Sequence, residues 1–244
     1  ETPRVHACVR DIAERKEAEQ RLRLQLDTLR QVATGAPLET ILRDLITAIE
    51  EQSPDMTGSV LFCDRAQGRI QHGVAPNLPD AYNDAIDGVE LGPTAGSCGT
   101  AMYEGAPVIA EDIATDPRWA DYRDLALEHG LHACWSVPIF DADGDVLGSF
   151  ALYHEQPTAP TEKDRTLIDQ ARSLAGIAIE RHRTEETLRD REQRVEALYD
   201  AMSTLTQSET PDELAEVLFD LITDTLGYPI CTVRYVEDDR LVPA

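Results

Sequence analysis

The stretch HGLHACWSVPIFDADGDVLGSFALYH, from His129 to His154, decides how the chain folds. Two apolar runs, HACWSVPIF (132–140) and VLGSFALYH (146–154), flank the polar segment Asp141-Ala-Asp-Gly144-Asp145. Asp-Gly between apolar runs is a strong short-range signal for a hairpin, because glycine takes the positive φ that a tight reversal needs. The two runs are therefore expected to be paired antiparallel strands. Side chains alternate across a strand, so Cys134, Ser136 and Pro138 share one face and Ala133, Trp135 and Val137 share the other. A cysteine with two nearby histidines and a tryptophan raises a question of chemistry: is Cys134 a reactive thiol, or one wall of a pocket?

Outward from the hairpin the elements alternate in type. A helix from Pro37 carries Leu38, Ile41, Leu42, Leu45 and Ile49 on one side. A strand over 59–63, a turn at Arg65–Gly68, a strand over Arg69–Val74 and a short helix around Leu78–Ile86 follow. The glycine-rich loop LGPTAGSCG from Leu91 leads into a helical turn and the strand PVIAED, after which the helix WADYRDLALEHG delivers the chain to the hairpin. Downstream, Thr161-Glu-Lys-Asp164 fits a capping box. The helix it opens carries Leu167, Ile168, Ala171, Leu174, Ala175, Ala178 and Ile179 on one side and is expected to run unbroken to about Met202. These elements predict an α+β domain with a central, largely antiparallel sheet, helices on one face, and long linker helices at either end.

An internal repeat organises the ends. Glu14-Arg15 and Leu22 in the first copy align with Glu180-Arg181 and Leu188 in the second, and each copy leads to a helix containing Asp-Leu-Ile-Thr, at 44–47 and at 220–223. A strand follows each helix, SVLFCD from Ser59 and ICTVRYV from Ile230. Thr210-Pro-Asp-Glu213 has a capping threonine, proline at the first helical position and an acid at the third; Gly227 and Pro229 are expected to stop that helix. In the second linker Leu188, Val195, Leu198, Met202 and Leu205 form a narrow heptad seam on an otherwise charged helix, and Leu22, Leu29 and Val32 do so more weakly in the first. So narrow a seam suits a parallel coiled coil between two chains; the alternative is packing against its own domain.

Composition narrows the function. The chain has 244 residues, with 46 acidic against 22 basic side chains and a net charge of -24. Only Lys16 and Lys163 are lysines. Such a surface repels polyanions, which argues against direct binding of nucleic acid. Self-repulsion of this size is relieved where salt shortens the Debye length, so a halophilic, salt-loaded cytoplasm is the expected setting. No run approaches the ~18 apolar residues that a membrane-spanning helix needs, and a membrane role is not expected. Five cysteines, Cys8, Cys63, Cys98, Cys134 and Cys231, follow no disulfide pattern and are read as thiols.

The segment from Gly96 to Arg181, GSCGTAMYEGAPVIAEDIATDPRWADYRDLALEHGLHACWSVPIFDADGDVLGSFALYHEQPTAPTEKDRTLIDQARSLAGIAIER, resembles a GAF domain, and the helix and hairpin upstream fit the same fold. The opening VRDIAERKEAEQRLR is similar to the last strand of a PAS domain running into its exit helix, and the tail from Thr210 to the first helix and strand of a second GAF domain. The resemblance implies a PAS end at 1–13, a linker helix at 14–36, the GAF domain at 37–182, a coiled-coil linker at 183–208 and the start of a second GAF domain at 209–244. Such strings are similar to the sensory half of histidine kinases and of bacterio-opsin-activator-type regulators of haloarchaea. They imply a non-enzymatic cytoplasmic sensor, dimeric through its linker helices, that binds an unidentified small molecule or senses redox state.

In that family the ligand sits between the sheet and the segment covering its open face, here Leu78 to Leu131. The candidate ligand-facing residues are Cys98, Tyr122, Cys134 and Ser136, with Trp119 and Trp135 as aromatic walls; which face of the 133–138 strand lines the pocket stays open. The bland alternative makes both cysteines small core residues. Ser97-Cys98-Gly99 with His132-Ala133-Cys134 also looks similar to the free-methionine-sulfoxide reductases of GAF fold, which makes an enzyme using Cys98 and Cys134 the second reading, although Trp135 stands where that family has an acid. A ligand-free dimerisation spacer is the third. His129, His132 and Cys134 lack a fourth ligand for a metal site, and the sequence names no cofactor.

Overall fold

The computed structural model describes residues 2–53, 55–207, 210–220, 222–223, 234–237 and 240–243. It divides into two units, 1–182 and 183–244.

The first unit is built on a five-stranded antiparallel sheet in the order β2-β1-β5-β4-β3. Its strands are β1 (Met56–Asp64), β2 (Arg69–Val74), β3 (Val108–Ala110), β4 (Ala133–Phe140) and β5 (Val146–His154). The β4–β5 hairpin turns through Gly144 at φ 87° and sets Cys134 opposite Tyr153, Trp135 opposite Leu152 and Ser136 opposite Ala151. β5 also pairs with β1, Val60 lying opposite Phe150 and Leu61 opposite Ser149. A side chain at Gly148 would overlap the Leu61 carbonyl, so the close approach of these central strands requires glycine there.

Long helices cover one face. They are α1 (Thr2–Thr34), α2 (Leu38–Glu50) and the first part of α6 (Glu162–Gln207). Ile41, Leu42, Leu45, Ile46 and Ile49 of α2 and Ile168, Ala171, Leu174, Ala175, Ala178 and Ile179 of α6 are buried with Val60, Trp135, Val137, Ile139, Phe150 and Leu152 of the sheet. The spacing of three and four places each stripe on one helix face, which explains why these segments are helices packed on a sheet. α6 starts where the sequence predicts: Thr161 Oγ1 accepts from the Asp164 N–H at 3.3 Å, and the Asp164 carboxylate accepts from the Thr161 N–H at 2.8 Å. Glu50, at the end of α2, accepts from the Gly58 N–H at 2.8 Å and from Asn77 Nδ2 at 2.5 Å, tying helix, β1 and the β2 exit together.

Short elements cover the opposite face: α3 (Asp80–Ile86), α4 (Gly96–Glu104), a 3₁₀ turn at Pro117–Trp119 and α5 (Arg123–Glu128). The single helix expected over 119–130 is thus broken in two. Asp116 caps the 3₁₀ turn, accepting from the Arg118 N–H at 2.9 Å, and the Arg123 guanidinium donates to the carbonyls of Ile113 and Asp116 at 3.3 and 3.2 Å, holding the segment in a bend.

Two expectations at the N-terminus need correction. The PAS-like strand expected within residues 1–13 is not a strand, since α1 is helical from Thr2. The weak seam of the first linker also divides: Val32 is buried in its own domain with Leu29 packed beside it, while Leu22 is 55% exposed. A helix docked on a sheet must spend apolar positions on that contact, which leaves too few for a separate seam.

The second unit contains the rest of α6, then α7 (Pro211–Asp220) and an antiparallel pair, β6 (Arg234–Glu237) with β7 (Arg240–Pro243). Thr210 caps α7 through the Glu213 N–H at 3.3 Å. Gly227, Pro229, Leu221 and the strand start at Ile230 lie outside the described residues. On α6, Leu188, Val195, Tyr199 and Met202 are exposed.

Candidate functional site

The side chains with chemistry converge between the sheet and its cover of short elements. Gly96, at φ 63°, a backbone conformation that favours glycine, turns the chain into α4 beside the Trp119 indole. Ser97 and Cys98 follow on the first turn. Both are buried, Ser97 completely. The Ser97 hydroxyl accepts from Trp119 Nε1 at 3.0 Å and donates to the Cys134 carbonyl at 3.1 Å, bolting α4 to both the covering segment and β4. Thr100 Oγ1 adds a bond to the Gly92 carbonyl at 3.0 Å, closing the glycine-rich loop.

Bolted in this way, Cys98 Sγ sits 3.3 Å from the Tyr153 hydroxyl. Hydrogen bonding from the Cys134 thiol brings the Cys98 thiol down to about 7 against the opposing effect of burial, with Tyr153, Ser136 and Ser149 assisting. Cys134 moves the other way, raised by burial and then by its neighbour Cys98. Burial likewise raises Tyr82 and Tyr153 well above the ordinary phenol value. The pair is therefore asymmetric. Cys98, on the first turn of a helix where the backbone dipole favours negative charge, is the group that ionises, and Cys134 is the donor that supports it.

Beside Cys98 lies a cavity of about 20 Å³, lined by Tyr82, Ser97, Trp119, Tyr122 and Tyr153 among others. That is room for one water-sized molecule. Tyr82 forms part of its wall, packing edge-on against Tyr153 at 5.9 Å and against His129 at 6.0 Å. Arg118 fixes the outer rim by donating to Asp116 and, at 2.9 Å, to the Ile109 carbonyl. Burial of Asp116 opposes its ionisation, but the Arg118 hydrogen bonds and charge outweigh it and hold the carboxyl below its usual value.

The sequence of the covering segment and the family models agree on what this frame is, since the GAF-domain model matches residues 35–180. The chain belongs to the GAF family. A methyl sulfide methyltransferase-associated sensor of Methanosarcina acetivorans is 33% identical over 235 residues, 96% of this chain and 24% of that protein, so the chain spans about a quarter of this relative's length. The GAF domain of a phosphoenolpyruvate-protein phosphotransferase from Coxiella burnetii superposes with a TM-score of 0.57 at 20% identity, covering 70% of this chain and 98% of that one. Free methionine-R-sulfoxide reductase from Neisseria meningitidis, solved with its substrate, superposes at 0.55 with 15% identity, covering 69% and 90%. At these identities the structures share the fold alone.

Within the GAF core, five of the six candidate residues lie on the covered face. Cys98, Trp119 and Tyr122 line the cavity, and Cys134 and Ser136 lie behind Cys98 on β4. Trp135 does not belong with them. Strand alternation turns it to the opposite face, where its ring lies 4.0 Å from that of His154 and its Nε1 donates to the Thr158 carbonyl at 3.2 Å. It is part of the helix-side core rather than a pocket wall. His129 packs on Tyr82, and among the described residues no three His, Cys, Asp or Glu side chains gather as a metal centre would require. No helix of the described residues is long and apolar enough to cross a membrane.

Three residues of the site, Tyr82, Ser149 and Tyr153, have no place among the sequence candidates, and Ser97 stands there only as a neighbour of Cys98. For Ser149 and Tyr153 a signal existed. Once β4 and β5 are read as a hairpin, the facing of Cys134 with Tyr153 and of Pro138 with Ser149 puts both β5 residues on the cysteine's side.

Proposed function

We propose that residues 35–180 form a non-enzymatic sensing domain of a larger signal-transduction protein, a histidine kinase or a transcriptional regulator, in which Cys98 and Cys134 report redox state. The observation that carries this reading is the Cys98 sulfur held among Tyr153, Cys134, Ser136 and Ser149 beneath the short covering elements. A cavity of about 20 Å³ leaves no space for an organic ligand in this conformation, and a sulfoxide-bearing amino acid could not reach Cys98 without the cover lifting. Both features favour thiol chemistry over the alternatives of ligand capture and reductase turnover. Ser97 would couple the two: a change at either thiol strains the bond to the Cys134 carbonyl, β4 shifts, and α6 follows, because it packs on the same sheet.

The output would pass through a homodimer. The exposed Leu188, Val195 and Met202 on α6 keep the spacing of a coiled-coil seam, which supports pairing with a second copy. α7 and the β6–β7 pair would begin a second GAF domain, and the helical start of the chain would belong to the exit helix of a PAS domain. Oxidising the reduced chain and mapping disulfides by mass spectrometry tests the reading. A Cys98–Cys134 link with altered spin-label distances between paired α6 helices is expected; the absence of that link under every oxidant rules the reading out.

A further inference from the structure

Two hydroxyls in the site are left without a good partner. Ser136 Oγ on β4 and Ser149 Oγ on β5 are fully buried and make no hydrogen bond of proper geometry. Both lie close enough to Cys98 Sγ to favour its ionised form. Buried hydroxyls in this condition are rare, because an unmet donor costs stability unless a water or ligand takes it up. On its other side Cys98 forms a wall of the water-sized cavity, together with the Tyr153 that touches its sulfur. Cys98 Sγ thus has the two serine hydroxyls on one side, and the Tyr153 hydroxyl with a water-sized space on the other.

We infer that this is a reaction site for hydrogen peroxide, with Cys98 as attacking sulfur, Cys134 as resolving thiol, Ser136 and Ser149 as donors to the thiolate, and Tyr153 as donor to the peroxide oxygens. This rests on the redox reading above and names its oxidant. The Cys98 thiolate attacks one peroxide oxygen, the O–O bond breaks, and Cys98 becomes a sulfenic acid while hydroxide departs and is protonated to water. The Cys134 thiol then attacks the sulfenic sulfur, forming the S–S bond and releasing a second water. Two thiols lose two electrons and two protons in total, and one peroxide becomes two waters. The cavity sets the selectivity: an alkyl hydroperoxide carries a carbon skeleton that the space beside Tyr82 and Trp119 cannot take without opening the cover.

The test uses the full, reduced 244-residue chain. Disulfide formation is followed with hydrogen peroxide, tert-butyl hydroperoxide and the small thiol oxidant diamide, each rate divided by that for free cysteine. The expected result is a normalised preference of at least ~10-fold for hydrogen peroxide over tert-butyl hydroperoxide, the ratio expected when the bulkier oxidant must first break a contact or two of the cover to enter. Cys134→Ser is expected to accumulate a sulfenic acid at Cys98 that dimedone traps, and Tyr153→Phe is expected to slow peroxide more than diamide. Equal normalised rates for the two peroxides, with diamide still linking Cys98 to Cys134, overturn the peroxide site and leave the redox reading standing. No Cys98–Cys134 link with any of the three overturns both. Circular dichroism of each variant separates lost chemistry from lost folding.

Discussion

Removing the Ser97 hydroxyl tests whether the site is held as one piece. In Ser97→Ala, Trp119 Nε1 and the Cys134 carbonyl both lose their hydroxyl partner, and both residues are buried, at 2% and 0% exposure. Two net hydrogen bonds are worth about 2 kcal/mol in total. Alanine regains about 0.5 kcal/mol through its better helix propensity on α4. A water in the neighbouring cavity, which Ser97 and Trp119 both line, can accept from the indole, so the cost of an orphaned donor does not add in full. The expected loss is about 1.5 kcal/mol, which for a domain of this size lowers Tm by roughly 3–6 °C. Urea unfolding followed by circular dichroism measures it. The decisive quantity is the coupling to Trp119→Phe, which removes the same N–H from the other side; about 1 kcal/mol of non-additivity is expected. Strict additivity of the two losses would mean that the indole–hydroxyl bond contributes nothing and that Cys98 is not positioned through Ser97.

Four shorter expectations accompany it. The thiolate absorbance lost in Cys98→Ser should rise in the parent chain with a midpoint at about 7, and Cys134→Ala should move that midpoint upward, since it deletes the first of the groups favouring ionisation; an unmoved midpoint would exclude Cys134 as the donor. Burial depresses the His154 imidazole below its ordinary 6.5, with Asp164 and Asp55 only partly opposing. The unfolded chain therefore binds the proton first, and stability present above pH 6.5 should fall on acidification by up to about 1.4 kcal/mol per pH unit. His154→Phe should remove that component from urea titrations between pH 7.5 and about 5.5. Leu188→Asp with Val195→Asp should convert a dimer into a monomer in sedimentation, and a dimer of unchanged affinity would place the contact elsewhere. With a net charge of -24 the chain should melt higher in molar potassium chloride than in dilute buffer, the effect saturating as screening becomes complete.

The parts of this fold that were legible in the sequence are those fixed by local chemistry. Asp143-Gly144 turns the hairpin, Thr161 and Asp164 begin α6, and the three-and-four spacing of Ile41, Leu42, Leu45 and Ile49 identifies the buried side of α2. The site was legible only in part, because its members come together through register and through long-range bonds. Trp135 looked like a neighbour of Cys134 and is one in sequence, yet the strand points it away; nothing in the composition of HACWSVPIF says which of its two faces meets the short helices. Ser97 gave no sign of its two bonds, since its partners lie 22 and 37 residues away. The break between the Pro117 turn and α5 likewise depends on Arg123 reaching back to carbonyls on an earlier bend. At the N-terminus a strand was expected on resemblance alone, and the residues there are helical.

The chain has just two tryptophans, and the sheet separates them. Trp119 lies over the thiols, and Trp135 lies on the far side against an imidazole. Because thiolates and protonated imidazoles both quench indole emission, the domain carries its own pair of optical probes. Replacing either tryptophan by phenylalanine leaves a single emitter. One such variant then reads the sulfur chemistry and the other reads its arrival beneath the long helices, so the order and delay of the two signals can be timed in the same protein without any added dye.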